Sequence, residues 1–302
     1  RKMKAFKVLI VAAAAGYLMA SCAQASKGSA PTGSDGQPVP GSSFLSAGQA
    51  VTDLQPGGTQ EAVNTSWIKV KHLDLAYAPL SPTQKLDLYL PNQGSGPFPL
   101  IIEFHPGGFM VGDKSPAIAP MLKGLKRGYA VASVAYRLSG EAVFPAAVND
   151  AKAAVKFLRA NAGKYNLDPG RFAAWGASAG GNLATLVAVS AGMPSLVDPA
   201  LGNQGVPDNV QAAVDWFGPL DFTAMDGQFK ALGTSGALGP TSSASSPESR
   251  YLGHTVGSAE ALPLAREADP NSYISADDPP MYIQHGDRKS TRLNSSHRIR
   301  SR

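Results

Sequence analysis

The stretch WGASAGGN, Trp175–Asn182, decides how this chain folds. It holds a G-x-S-x-G pattern from Gly176 to Gly180, and Ser178 is its centre. The residues RFAAWG before it are predicted to form a strand, and Gly180–Ala191 is predicted to form an apolar helix. A sharp turn from strand to helix lifts a serine hydroxyl above a sheet and requires small neighbours. The pattern therefore indicates a nucleophilic serine, against the alternative of a tight turn packed with small residues.

A second motif, FHPGGF, follows the apolar run that ends at Phe104. A serine that attacks a carbonyl group creates an oxyanion, which needs preorganised N–H donors. Gly107 and Gly108 are predicted donors because an absent side chain lets the backbone approach, and Ala179 is the third. His105 is interpreted as structural, because a catalytic base has to face the serine from the opposite side.

The rest of the pattern predicts an α/β fold with a mainly parallel sheet that helices cover on both faces. A helix is expected near Ala117–Lys126, and the apolar positions from Val148 to Ala162 predict a second one. Leu167–Gly170 is read as a turn. Thr223–Leu264, with a low-complexity middle, is read as a partly mobile insertion over the edge of the sheet. Further strands are predicted in WIKVKHLDLAY, KLDLYLP, PLIIEF, YAVASVAY, VQAAVDWFG and PPMYIQHG.

The ends of the chain account for its basic character. The net charge is +5, but the first seven and last 15 residues carry four and six cations, which leaves 17 cations against 22 acids between them. The charge is therefore no argument for a nucleic-acid partner. The basic RKMKAFK before the apolar Val8–Ala20 is typical of an export signal. Cys22, the single cysteine, is a candidate lipidation site, and cleavage after Ala23–Ala25 is the alternative.

Several segments together resemble the α/β-hydrolase esterases: LDLYLP, EFHPGGFMVGDKS, SYISADDPPMYIQHGD and the whole stretch from Tyr136 to Ala184. They are most similar to bacterial carboxylesterases related to acetyl xylan and feruloyl esterases, beside the hormone-sensitive-lipase-like family. The resemblance extends over roughly Val70–Asp287. It implies Ser178 as nucleophile, and Gly107, Gly108 and Ala179 as the oxyanion hole.

A catalytic acid and histidine should follow the serine in chain order. The family pattern H-G-x-x-D puts the acid where this chain has Lys289, so Asp287, two residues earlier, is a tentative acid. The histidine is expected some tens of residues later, and His285 is read as structural. RKSTRLNSSHRIRSR resembles translated sequencing adapter, with a natural basic tail as the alternative. The expectation is therefore an α/β-hydrolase fold that lacks its last strand and helix, leaves Met281–His285 as an edge strand and turns over esters poorly.

These inferences divide the chain into a signal peptide (1–25), a Ser/Gly/Pro-rich flexible linker (26–65), an incomplete hydrolase domain (66–287) and a non-native tail (288–302). The expected activity is hydrolysis of carboxylic esters, such as acetyl or feruloyl esters of plant polysaccharide, by a protein that is secreted, periplasmic or lipid-anchored. A serine peptidase of the same fold and a non-catalytic binding domain are the alternatives. No cofactor or metal is expected, because no His/Asp/Glu cluster has ligand spacing. The expected partner is a small-molecule or carbohydrate ester, and a membrane is expected only through Cys22.

Overall fold

The computed structural model describes residues 63–114, 120–233 and 238–285, and the backbone of 295–298. Cys22 and Asp287 lie outside these ranges, as do the predicted signal peptide and most of the linker. Within them, eight strands form one sheet in the order β1-β2-β4-β3-β5-β6-β7-β8. The strands are β1 (Lys71–Ala76), β2 (Lys85–Tyr89), β3 (Phe98–Phe104), β4 (Ala130–Val134), β5 (Leu167–Ala177), β6 (Ala212–Trp216), β7 (Met281–His285) and β8 (Ser295–Arg298).

The middle of the sheet is parallel. Neighbouring strands from β4 through β3, β5 and β6 to β7 run parallel, whereas the pairs β1–β2, β2–β4 and β7–β8 are antiparallel. The mainly parallel α/β-hydrolase sheet predicted from the sequence is therefore confirmed. Because the carboxyl ends of parallel strands meet at one edge, the segments after β3, β5 and β6 come together there.

Five α-helices lie in the described residues, with short 3₁₀ segments between them. The apolar stripe predicted from Val148 to Ala162 is confirmed as a helix, and the helix after Ser178 begins at Ala179. The helix predicted near Ala117–Lys126 is a 3₁₀ turn, and part of that prediction lies outside the described residues. The α-helices are α1 (Ala146–Ala160), α2 (Ala179–Val189), α3 (Met225–Ala231), α4 (Pro247–Leu252) and α5 (Ala261–Glu267), and 3₁₀ segments cover Met121–Arg127, Pro194–Leu196, Pro199–Leu201 and Pro270–Ser272.

Apolar clusters cover both faces of the sheet. The larger one packs β2–β5 against α1 and α2, with Leu100, Ile102 and Val155 fully buried. Burying such a side chain contributes about 1.5–3 kcal/mol relative to leaving it in water. The smaller cluster, on the opposite face, joins Ile101 and Val131 to the 3₁₀ segment Met121–Arg127. These two layers hold the central strands, and so the turns after them, in fixed positions.

Two expectations about local structure are wrong. Leu167–Gly170 belongs to β5, although the pairing of β3 with β5 shifts register beside it. Met281–His285 is not an edge strand, because the backbone of Ser295–Arg298 pairs with it. The periodicity of apolar residues indicates whether a segment is a helix or a strand. It does not show how segments that are distant in sequence pair with one another, and these errors concern such pairing. The segment Thr223–Leu264 contributes Met225, Phe229, Pro247 and Glu248 to the pocket around Ser178, at the edge of the sheet where the parallel strands end.

Candidate active site

Ser178 occupies a sharp turn between β5 and α2. Its backbone has φ of 53° and ψ of −123°, a conformation that L-residues rarely adopt. Its N–H donates to the carbonyl of Trp216 at the end of the neighbouring strand, over 2.8 Å, and its own carbonyl accepts from Asn182. Strain of this kind costs about 1–3 kcal/mol and persists only where surrounding contacts enforce it. The predicted strand–turn–helix geometry of the G-x-S-x-G motif is therefore confirmed.

The glycines of the motif are required by backbone contacts. A Cβ atom at Gly176 would lie 2.0 Å from the carbonyl oxygen of Gly180. A Cβ at Gly180 would lie 1.9 Å from the carbonyl oxygen of Phe104, the last residue of β3. Neither neighbour is a side chain that can rotate away. These contacts bring the turn after β5 against the end of β3, which is where the second motif begins.

The FHPGGF loop continues from that contact. Gly107 has φ of +133°, and its carbonyl accepts the N–H groups of Met110 and Val111. Gly108 has φ of +59°, and a Cβ there would lie 3.1 Å from the Pro247 side chain. The loop is therefore a tight turn that needs glycine at both positions, and α4 packs directly on it.

One pocket joins the two motifs. Gly108, Ser178 and Ala179 all line it, as the oxyanion assignment requires, whereas Gly107 is not among its lining residues. Gly107 thus shapes the turn, and its role as an oxyanion donor stays a prediction. The cavity has a volume of about 70 Å³. The other lining residues are Phe109, Phe217, Gly218, Pro219, Met225, Phe229, Leu238, Pro247, Glu248 and His285.

The electrostatics of the turn favour an anion beside Ser178. Ala179 is the first residue of α2, an 11-residue helix whose first turn carries no acidic residue. The N-terminus of such a helix presents unpaired N–H groups and the positive end of the helix dipole. A negative charge that develops on a substrate oxygen at this point is therefore stabilised, which is the requirement for acyl transfer to serine.

His105 is structural, as the sequence analysis predicted. Its ring is 1% exposed, stacks on Tyr136 at a centroid distance of 4.2 Å, and lies 2.8 Å from the Pro106 carbonyl through Nδ1. Burial lowers the pKa of His105 to about 4, so the ring is neutral at physiological pH. The neutral ring carries its proton on Nδ1 and donates it to the Pro106 carbonyl, which fixes the start of the FHPGGF loop, the predicted oxyanion loop.

His285, also read as structural, ends β7 and forms a wall of the Ser178 pocket. Its Nε2 lies 3.9 Å from Oδ2 of Asp215, and Oδ1 of that buried aspartate accepts the N–H of Gly218 over 2.7 Å. A catalytic base and the carboxylate that orients it lie about 2.6–3.2 Å apart. The separation here is longer, and Oδ1 of Asp215 is held by the Gly218 N–H in the loop after β6. His285 therefore lines the pocket, and Asp215 fixes the loop that packs beside Ser178.

The residues that Thr223–Leu264 contributes to the pocket were not predicted from the sequence. Met225 and Phe229 come from α3, and Pro247 and Glu248 from α4. Glu248 is the acidic side chain among the lining residues. No local signal in GPTSSASSPES pointed to it, since the placement depends on contacts with a loop more than 100 residues earlier in the chain.

Two further features concern the residues that the structure describes. Within 63–114, 120–233 and 238–285, no group of three or more His, Cys, Asp or Glu side chains is arranged to hold a metal ion. In the same residues, no helix has both the length and the apolarity needed to cross a bilayer. The roles assigned to Asp287 and Cys22 stay predictions, because both residues lie outside the described ranges.

Comparisons with known proteins agree with this geometry. The BD-FAE family model matches residues 86–300. Esterase LipQ of Mycobacterium tuberculosis is 28% identical over 71% of this chain and 48% of its own length, so the chain spans about half of that relative. Two solved structures align with TM-scores of 0.64. A truncated carbohydrate esterase from gut microbiota is 30% identical, over 74% of this chain and 79% of the other. A bifunctional GH43-CE protein of Bacteroides eggerthii is 31% identical, over 71% of this chain and 31% of the other. The chain therefore belongs to the BD-FAE family of α/β-hydrolase esterases.

Proposed function

We propose that this protein is a serine carboxylesterase that works through an acyl-enzyme on Ser178. The observation that carries the proposal is the meeting of Ser178, Gly108 and Ala179 in one pocket, with Ser178 held in the strained turn between β5 and α2. The names of its relatives support the reaction class, since they include an esterase and a carbohydrate esterase.

The reaction proceeds in two steps. Ser178 Oγ attacks the ester carbonyl carbon and transfers its proton to a base, and the oxygen that becomes negative faces the N–H groups of Gly108 and Ala179. The ester C–O bond breaks, and the alcohol leaves with a proton. Water then attacks the acyl-enzyme in the same way, and the acid is released. The acid–histidine pair is proposed to lie after β7, where the resemblance places it and where Asp287 is the tentative acid.

The size of the cavity favours a small acyl group. Its volume of about 70 Å³ is well below the roughly 150 Å³ of an apolar cavity that accepts benzene. An acetyl group fits such a space beside Ser178. Because two structural neighbours carry the words carbohydrate esterase or GH43-CE, we propose acetyl esters of a polysaccharide as the substrate class.

Covalent labelling of Ser178 tests the proposal even if turnover is slow. The protein would be incubated with 4-nitrophenyl acetate or an organophosphate, and its intact mass would be measured beside the Ser178→Ala variant. We expect one added acyl or phosphoryl group on Ser178, and release of 4-nitrophenol that the variant loses by at least about a thousandfold. Hydrolysis that is unchanged in Ser178→Ala, or labelling at another residue, would refute the assignment.

The N-terminal sequence supports an envelope location. We propose that the basic RKMKAFK and the apolar Val8–Ala20 direct export, and that Cys22 then carries a lipid that anchors the protein to the membrane. Expression with its own leader in a bacterial host, followed by fractionation and mass analysis of the N-terminus, tests both steps. Cys22→Ser should move the protein from the membrane to the soluble exported fraction. Intact residues 1–25 on a cytoplasmic protein would contradict the proposal.

A further inference from the structure

Glu248 is a carboxylic acid that nothing in the reaction described above uses. It lies in the second position of α4 and is 9% exposed, yet it lines the same pocket as Ser178. Burying a charged or polar group in a largely apolar pocket costs free energy unless a partner compensates it. A glutamate in this position therefore needs a function that outweighs that cost.

Three contacts fix α4, and with it Glu248. The Ser246 side chain caps the helix by accepting the N–H of Ser249 over 3.0 Å. Pro247 packs on the oxyanion loop at Gly108. Tyr251 stacks on Phe109 of the same loop, with ring centroids 3.9 Å apart and planes within 7°. The carboxyl group is thus held at a defined place relative to the oxyanion hole, which is the preorganisation that a recognition group requires.

The protein does little to satisfy this carboxyl group. Within the described residues, the hydrogen-bond donor that reaches it is its own backbone N–H. Burial, together with the nearby Asp226 carboxylate, raises the pKa of Glu248. The other side chains around the cavity are mostly apolar, such as Phe217, Met225 and Phe229. The carboxyl group therefore has capacity for a hydrogen bond with whatever enters the pocket.

We propose that Glu248 is a specificity residue that forms a hydrogen bond with a hydroxyl group on the alcohol part of the substrate, beside the ester that Ser178 attacks. This inference rests on the proposed function. An acetyl group carries no hydroxyl, so the partner belongs to the alcohol part of the ester, which reaches Glu248 through the open side of the pocket. A sugar ring supplies hydroxyl groups next to an acetylated oxygen, whereas an alkyl or simple aryl alcohol does not. Glu248 thus selects acetylated sugars over simple acetate esters.

The test compares two acetate esters on the full chain. Values of kcat/KM would be measured for acetylated xylotriose and for 4-nitrophenyl acetate, which has no hydroxyl group in its alcohol part. Glu248→Met should lower kcat/KM for the sugar ester by about tenfold, the value of one hydrogen bond of about 1.4 kcal/mol, and change the aryl ester less than about twofold. Glu248→Gln retains an acceptor and should lose less. Glu260→Met, the same change at an exposed position near α5, is the control.

A second measurement does not depend on turnover. In the Ser178→Ala background, Glu248→Met should weaken the binding of acetylated xylotriose by about tenfold in titration calorimetry, and Glu260→Met should not. Equal loss on both esters, no change in either, or a loss confined to 4-nitrophenyl acetate would overturn the inference. Ser178-independent hydrolysis would refute the proposed function instead, and the two failures are therefore distinguishable. Activity on 4-nitrophenyl acetate shows that the variants that keep Ser178 are folded, and the circular dichroism spectrum shows it for those in the Ser178→Ala background.

Discussion

The buried Glu103 should make the stability of this protein fall steeply as pH rises. Glu103 is the last but one residue of β3, opposite Ser133 on β4 and Trp175 on β5, and it is 0% exposed. The Ser133 hydroxyl lies 2.6 Å from Oε2 of Glu103 and 2.6 Å from the carbonyl oxygen of Lys114. One hydroxyl has one proton, and a carbonyl group has none. Both short contacts are hydrogen bonds only when Glu103 is protonated and donates to Ser133, which donates to Lys114.

The pKa gives the size of the effect. Burial raises the pKa of Glu103 from its ordinary value of 4.5 to about 8. A carboxyl group whose pKa is raised on folding stabilises the protein fully below its unfolded pKa, and that contribution is lost as pH rises through the folded pKa. At 1.36 kcal/mol per pKa unit the full loss is about 5 kcal/mol, of which about 3.5 kcal/mol falls between pH 5 and pH 8. This is a large part of the 5–15 kcal/mol that stabilises a typical domain.

Urea unfolding between pH 5 and pH 8, on the wild-type protein and Glu103→Gln, measures this loss. The glutamine amide also donates to Ser133, so the variant keeps the hydrogen-bond chain without a group that ionises. The free energy of unfolding of the variant minus that of the wild type should be about 3.5 kcal/mol larger at pH 8 than at pH 5. Glu267→Gln, at an exposed position, should leave the wild-type profile unchanged. Parallel profiles for wild type and Glu103→Gln would show that Glu103 does not carry the proton.

Three further substitutions follow from the close contacts. The Cβ atom of Gly180→Ala would lie 1.9 Å from the Phe104 carbonyl oxygen, so this substitution should lower the free energy of unfolding by about 3 kcal/mol. Urea unfolding measures this loss, and an unchanged midpoint of the urea transition would contradict the contact. Gly108→Ala, at φ of +59°, should reduce hydrolysis of 4-nitrophenyl acetate at least a hundredfold by moving an oxyanion donor, and a smaller loss would remove Gly108 from that role. Lys152→Ala should cost about 3–5 kcal/mol because it leaves the buried Asp208, 3.0 Å away, without its charge partner, and a double-mutant cycle with Asp208→Ala checks this coupling.

The fold could be read from the sequence where local pattern determines structure. The stripe from Val148 to Ala162 became α1, and the turn at Ser178 lay between the predicted strand and helix. Both depend on neighbours a few residues apart, which periodicity and small-residue motifs report directly. The pairing of β8 with β7 depends on distant contacts and was wrong in the sequence analysis. The contribution of Thr223–Leu264 to the pocket also depends on distant contacts and was not predicted.

The two buried glutamates show where sequence reasoning fails for a site. Glu103 interrupts the apolar run PLIIEF, and a single charge in a strand buried on both faces is a signal that a partner or a shifted pKa must exist. Glu248 sits in a Ser- and Pro-rich segment, where an acidic side chain is ordinary and predicts nothing. Pro247 and Tyr251 pack on the FHPGGF loop, and this packing places the segment beside Ser178. An unusual residue within a buried strand can therefore be recognised from the local sequence. The role of a residue in an insertion can be recognised only when the tertiary structure shows where the insertion lies. The proposed selection of substrates by Glu248 is of this second type.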